Sequence, residues 1–188
     1  QRDDVNVVAI ADPSERMIND TLTLFRKFNK KEPAIYKNGN YDYQQLLKRD
    51  DIDAVMISSP WEWHITQGVD AMKAGKIVGM EVCGGMSIKE CWNIVDTSEK
   101  AKLPVMMMEN VCYGREELLV LNMCRQGAFG ELLHGEAAYI HDLRGQMEEV
   151  GHGTGSWRTL HYAKRNGNLY PTHGLGPVAQ YMNLARGE

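Results

Sequence analysis

The stretch Ser58-Ser59-Pro60-Trp61-Glu62-Trp63-His64 puts an acid, an imidazole and two indoles within seven residues, and its flanks say what they can do. Ahead of it, residues 53–57 are short, apolar and partly β-branched, with turn residues on both sides, the pattern of a strand covered on both faces. Behind it, residues 65–76 carry Val69, Ala71 and Met72 at helical spacing, with Gly75 as the stop. A strand that ends in small residues and feeds a helix is half of a βαβ unit, and open α/β sheets bind ligands at those carboxyl ends. Trp61, Glu62, Trp63 and His64 are therefore expected to face a crevice. The plainer alternative has Trp61 and Trp63 as core filler, with Glu62 and His64 decorating the first helical turn.

A second acid stands in a similar place. Residues 5–11 read as a strand, and Asp12-Pro13 closes it and opens a helix to about Phe28, with Pro13 at the first helical position. Asp12 is either an N-cap or the acid at the end of a dinucleotide-fold strand that hydrogen-bonds a ribose diol. In the second role a carboxylate repels the extra phosphate of NADP, so the expected cofactor is NAD.

The later motifs 139–144 (YIHDLR) and 170–173 (YPTH) offer Tyr139, His141, Tyr170, His173 and the single Asp142, without a clear carboxylate pair. Imidazole and phenol groups of this kind can move protons and donate to a developing oxyanion. The alternatives are plain ones. His173 starts a helix and is satisfied by backbone, Tyr139 packs in a strand with a wet hydroxyl, and His141 and Asp142 are solvated. Arg158 is either exposed or bound to something.

The elements that must hold these residues alternate. Beyond those already given, a short strand lies near residues 34–36, a turn at Asn38-Gly39-Asn40, and a helix over about 41–48. A strand at 76–81, a helix from the cap Ser87 to Lys100, and a strand over 104–108 ending at Glu109-Asn110 follow. This is an α/β chain with a Rossmann-like parallel sheet. After Asn110 the pattern changes to a helix over about 115–125, a long strand over 130–140, a polar loop over 142–156 and a helix over 175–185. The expected division is a partial NAD-binding domain at 1–111 and a partial α+β substrate domain at 112–188. No GxGxxG precedes Asp12, so the sheet is expected to lack its first βα unit, and one long strand is too few for a second sheet. The chain thus reads as an internal piece of a longer protein.

Composition narrows the partners. With 43% hydrophobic and 24% charged residues the chain can bury a core, and a net charge of −4 with scattered basic residues gives no footprint for nucleic acid or an anionic membrane. No apolar run suits membrane insertion. The four cysteines have neither zinc spacing nor disulfide density and read as free, mostly buried thiols, and no metal site is expected.

Taken together, ADP (11–13), SSPWEWH (58–64), MEV (80–82), ENVCY (109–113), YIHDLR (139–144), WRTLHY (157–162) and YPTHGLGP (170–177) resemble one family across essentially the whole chain. It is the NAD-dependent α-N-acetylgalactosaminidases of glycoside hydrolase family 109, a bacterial group within the glucose-fructose oxidoreductase and inositol dehydrogenase superfamily. The resemblance implies that NAD touches Asp12, Trp61, Glu62, Trp63, His64, Glu81, Val82 and Asn110. It implies that the sugar touches Tyr139, Arg158, Tyr170, Pro171, Thr172 and His173, with His173 and Tyr139 catalytic. The wider superfamily has Glu-Lys-Pro where this chain has Glu81-Val82-Cys83, so its usual lysine is absent. His173 falls where the superfamily's acid sits, and Pro177 where its histidine sits.

The implied activity is removal of terminal α-N-acetylgalactosamine by a redox-neutral cycle of oxidation, elimination, water addition and reduction. Its rivals are a net sugar or cyclitol dehydrogenase and a non-catalytic NAD- or sugar-binding subunit. Export to the periplasm or cell surface is an expectation by resemblance, and a homo-oligomer stays open.

Overall fold

The computed structural model describes residues 4–148 and 156–184. These form two compact units, one from residues up to 80 together with 85–106, the other from 81–84 together with 107 onward. The division thus falls a few residues before the expected 111, and the 81–84 segment goes with the second unit.

The first unit alternates as expected: β1 (Ala9–Ala11), α1 (Glu15–Lys27), β2 (Ala34–Tyr36), α2 (Tyr43–Leu46), β3 (Ala54–Ile57), α3 (Trp61–Lys73), β4 (Ile77–Met80), α4 (Ile88–Ala101) and β5 (Val105–Met107). The strands form two sheets, β1-β2 and β3-β4-β5. Both the β1–β2 and β3–β4 pairs are parallel, with Ile10 opposite Ile35 and Val55 opposite Val78.

Local chemistry sets most boundaries. In α1 the cap is Ser14, whose Oγ accepts from the Met17 N–H at 3.3 Å, so Pro13 lies one position before the cap and not at the first helical position. Glu15 in the first turn and Arg26 and Lys27 in the last suit the helix dipole. The expected strand over 5–11 shrinks to three residues, because a strand persists only where a neighbour takes its backbone groups and β2 offers three.

Helix α3 buries Trp61, His64, Ile65, Gly68, Val69 and Met72, the i, i+3, i+4 stripe of a core-facing helix. It ends in a Schellman motif: Gly75, at φ 79°, donates to Met72, and the Lys76 N–H reaches Ala71 at 2.9 Å. A methyl group at Gly68 would stand 2.8 Å from Met80 Cε and 3.0 Å from Ile94 Cδ1, so glycine is what lets α3 approach β4 and α4. The Tyr43 hydroxyl donates to Asp70 Oδ2 at 2.7 Å and ties α2 to α3. Helix α4 starts with Ser87 Oγ accepting from Glu90 N–H, while the Glu90 carboxylate accepts from Met86 N–H.

The core centres on Met72, Val78 and Met80. The expectation that β3 is covered on both faces is corrected: Ile57 is buried, but Met56 beside it is 69% exposed. Among the described residues its buried side chains belong to the core formed with α3 and β4, so the strand alternates instead of being apolar on both faces.

The second unit departs further. A 3₁₀ turn (Asn110–Tyr113) leads into α5 (Arg115–Arg125), as expected, followed by α6 (Arg144–Glu148), α7 (Ser156–Lys164) and α8 (Thr172–Tyr181). The expected strand over 130–140 is not one: residues 131–143 are irregular and mostly exposed, because no described strand pairs with them. The expected loop over 142–156 contains the short α6, and its residues 149–155 lie outside the described ones. Helix α8 begins three residues before the expected 175, which puts His173 inside it, and residue 185 lies outside the described ones. The thiols are free, but only Cys112 is buried. No helix among the described residues is long and apolar enough to cross a membrane.

Candidate functional site

Two glycines on α8 assemble the second unit's polar cluster. At Gly174 a Cβ would lie 3.3 Å from the backbone of Ala137, so the 131–143 segment runs directly against the helix and delivers Tyr139 beside its first turn. At Gly176 a Cβ would lie 2.7 Å from Cys112 Sγ, so the 3₁₀ turn is equally close and delivers Glu109. Each substitution would displace the side chain that the cluster depends on.

At the centre is His173. Tyr139 and Tyr170 both present their rings perpendicular to the imidazole, with centroids 4.4 and 4.8 Å away, and their own centroids are 5.7 Å apart. His173 Nδ1 lies 2.5 Å from Glu109 Oε1, and both side chains are only 8% exposed. The same Oε1 accepts from the Val111 N–H at 3.1 Å, so the carboxylate caps the 3₁₀ turn and holds the imidazole together. Glu109 Oε2 and Thr172 Oγ1 are also buried, with no protein hydrogen-bond partner. Burial first, then the negative potential of Tyr139, Glu109 and Glu81, pushes the Tyr170 phenol up to about 12, against the opposing pull of Arg158. Tyr170 is therefore a standing hydrogen-bond donor at neutral pH. The Arg158 guanidinium lies 4.4 Å from the centre of the Trp157 ring.

Glu109 is the residue that sequence reasoning missed. Asp142, the acid it noticed, is tied to Arg144 by a fork of 2.9 and 2.7 Å at the surface, which holds its carboxyl below the usual range. His141 sits exposed beside Tyr139 at 4.5 Å. In the sequence Glu109 is marked only by its place at the head of the ENVCY motif, beside Asn110. Asn110 is exposed on the 3₁₀ turn, Val82 is buried and Glu81 is half-buried.

The nucleotide candidates of the first unit divide. Asp12 is half-buried at the end of β1, and its Oδ1 accepts from Ser14 N–H at 2.7 Å, an Asx turn instead of an N-cap. A strand-end carboxylate of this kind fits a ribose diol. Pro60 precedes α3 without a side-chain cap, which suits a helix terminus facing a ligand. Glu62 is exposed, and Trp63 is half-buried edge-on to Tyr41 at 5.3 Å. Trp61 is a core residue, as the plainer reading had it, and so is His64, which that reading set on the surface of the first helical turn: His64 is 1% exposed, with Nε2 2.7 Å from the Ser59 carbonyl, so it braces the strand–helix junction. The residues present thus fit NAD through Asp12, Glu62 and Trp63 more than through the side chains of Trp61 and His64. No cluster of metal ligands occurs among the described residues.

The fold of parallel strands and helices is that of the Rossmann-like dehydrogenases. A scyllo-inositol dehydrogenase from Lactobacillus casei, solved with NAD(H) and scyllo-inositol, superimposes with a TM-score of 0.71 over 95% of this chain and 48% of its own, at 18% identity. The second unit is more particular, since residues 113–188 match the model of the glycosyl hydrolase 109 C-terminal domain. Over 184 residues, 98% of this chain, it is 56% identical to the glycosyl hydrolase family 109 protein 1 of Shewanella sp. (strain ANA-3). It is 55% identical to an alpha-N-acetylgalactosaminidase of Shewanella oneidensis over the same span. The similarity to glycosyl hydrolase family 109 proteins thus runs through both units, and the chain spans 40% of the length of these curated relatives.

Proposed function

We propose that the intact protein is an NAD-dependent glycosidase that releases terminal α-N-acetylgalactosamine without net oxidation. The observation that carries this reading is the His173–Tyr139–Tyr170 cluster with its one buried acid turned onto the imidazole. Ordinary glycosidases place two carboxyl groups roughly 5–9.5 Å apart across the scissile bond, and NAD-dependent ones are an exception. A carboxylate already engaged with a histidine suits proton transfer at carbon better than that pairwise chemistry.

By the family resemblance Asp12, residues 61–64, Glu81, Val82 and Asn110 would be the residues that hold NAD, which would supply hydride acceptance at carbon 3 of the sugar, so acidifying the carbon 2 proton, and hydride return at the end. His173 takes the carbon 2 proton at the ring nitrogen that Glu109 does not hold. Tyr139 and Tyr170 donate to the oxygen that becomes enolic, and Arg158 orients hydroxyl or amide oxygens through its fork of donors. The aglycone then leaves by elimination, and water adds in its place.

Turnover in heavy water tests the cycle. Deuterium is expected at carbon 2 of the released sugar, without NADH accumulation, and hydrolysis lacking carbon 2 exchange would exclude elimination. The second reading, a net sugar or cyclitol dehydrogenase, is supported by the inositol dehydrogenase fold and requires steady NADH production without glycoside cleavage.

Asp12 sets the cofactor preference within this reading. The intact protein is expected to bind NAD at least about tenfold more tightly than NADP, since a 2′-phosphate beside the carboxylate costs on the order of 1.4 kcal/mol or more. Titration of both cofactors measures it, and equal affinities would remove Asp12 from the ribose site.

A further inference from the structure

We infer that Glu109 is the positioning residue of the histidine site: its carboxylate fixes His173 as the Nδ1–H tautomer and so leaves Nε2 as the basic nitrogen. The inference rests on the reading of His173 as the base, but its geometry stands by itself. Glu109 Oε1 is 2.5 Å from His173 Nδ1, across 64 residues of chain, and both side chains are more than nine-tenths buried. A carboxylate only accepts, so a contact this short requires the proton on Nδ1.

The acceptor is itself immobilised. Val111 N–H donates to the same Oε1 at 3.1 Å, so the carboxylate cannot rotate away without uncapping the 3₁₀ turn. Gly176 lets that turn lie against Cys112 and α8, and Gly174 closes the other side of the helix on Ala137. The two tyrosine rings then meet the imidazole edge-on at 89°, which leaves its plane little freedom to turn. Asp142 cannot substitute, because Arg144 holds it at the surface. An acid fixed to a backbone N–H on one side and a histidine on the other is the arrangement that orients an imidazole base. It also accounts for a buried acid at a place where α8 itself carries none.

A merely structural Glu109 would cement the turn to the helix without choosing the tautomer, and two measurements separate the cases. Nitrogen-15 NMR of labelled histidine in the intact protein is expected to show His173 protonated on Nδ1, and Glu109→Met to give a mixture or the Nε2–H form. In the same variant kcat should fall about a hundredfold, with KM within about threefold, and Glu109→Gln should restore much of the loss because its amide oxygen still accepts from Nδ1. A wild-type His173 carrying its proton on Nε2, or a tautomer unchanged in Glu109→Met, would overturn the inference. The wild-type spectrum alone decides it where Glu109→Met does not fold. Absence of glycoside cleavage by a wild-type protein with the Nδ1–H tautomer would refute the functional reading and leave Glu109 in its place.

Discussion

His173→Ala in the intact protein is expected to lower kcat by about a hundredfold or more, the worth of a positioned acid–base group, while NAD remains bound. The imidazole meets the two tyrosines and the buried acid alike. Its loss would remove the proposed base and leave Glu109 buried opposite a void, so part of the effect would be loss of order in the first turn of α8. Steady-state rates with a chromogenic N-acetylgalactosaminide, together with NAD titration, separate the two contributions. Tyr139→Phe provides the companion test, because it keeps the ring against His173 and deletes only the hydroxyl. It should also lower kcat by about a hundredfold, since in the proposed cycle that hydroxyl would donate to the enolic oxygen. Rates near wild type in both variants would return His173 and Tyr139 to packing roles.

Met72→Ala should be the most damaging single truncation in the first unit. Met72 is 1% exposed and sits where α3 meets β4 and α4, so alanine loses the buried methylenes and leaves a cavity. The expected destabilisation is about 2–5 kcal/mol. Met56→Ala, in a side chain 69% exposed on β3, should change stability by no more than about 0.5 kcal/mol. Urea unfolding of the intact protein and both variants measures the difference. A loss below about 1 kcal/mol at Met72 would mean that the helix is not seated on the strands as described.

The contrast between these two methionines marks what was legible in the chain and what was not. By itself the sequence determined the alternation of the first unit and most of its boundaries. Ser87 capping α4, the turn at Gly39 and the stop at Gly75 all depend on bonds between residues within a few positions of one another, which local composition encodes. The sequence motifs also carried the resemblance to glycosyl hydrolase family 109. The expected strand over 130–140 failed because strand formation depends on a partner, and its alternating side chains say nothing about whether one is there. Both faces of β3 read as buried for the same reason, since an apolar run does not reveal which side a helix covers. His64 and Trp61 looked like ligands by type, and tertiary packing sealed them in the core. The site was half legible: Tyr139, Tyr170 and His173 were chosen by chemistry, but Glu109 lies 64 residues from its partner. Only the close approaches at Gly174 and Gly176 bring that acid, the phenols and the imidazole within hydrogen-bond and van der Waals reach. Pairing across such a separation is decided by backbone contact in three dimensions, which no local pattern in either segment expresses.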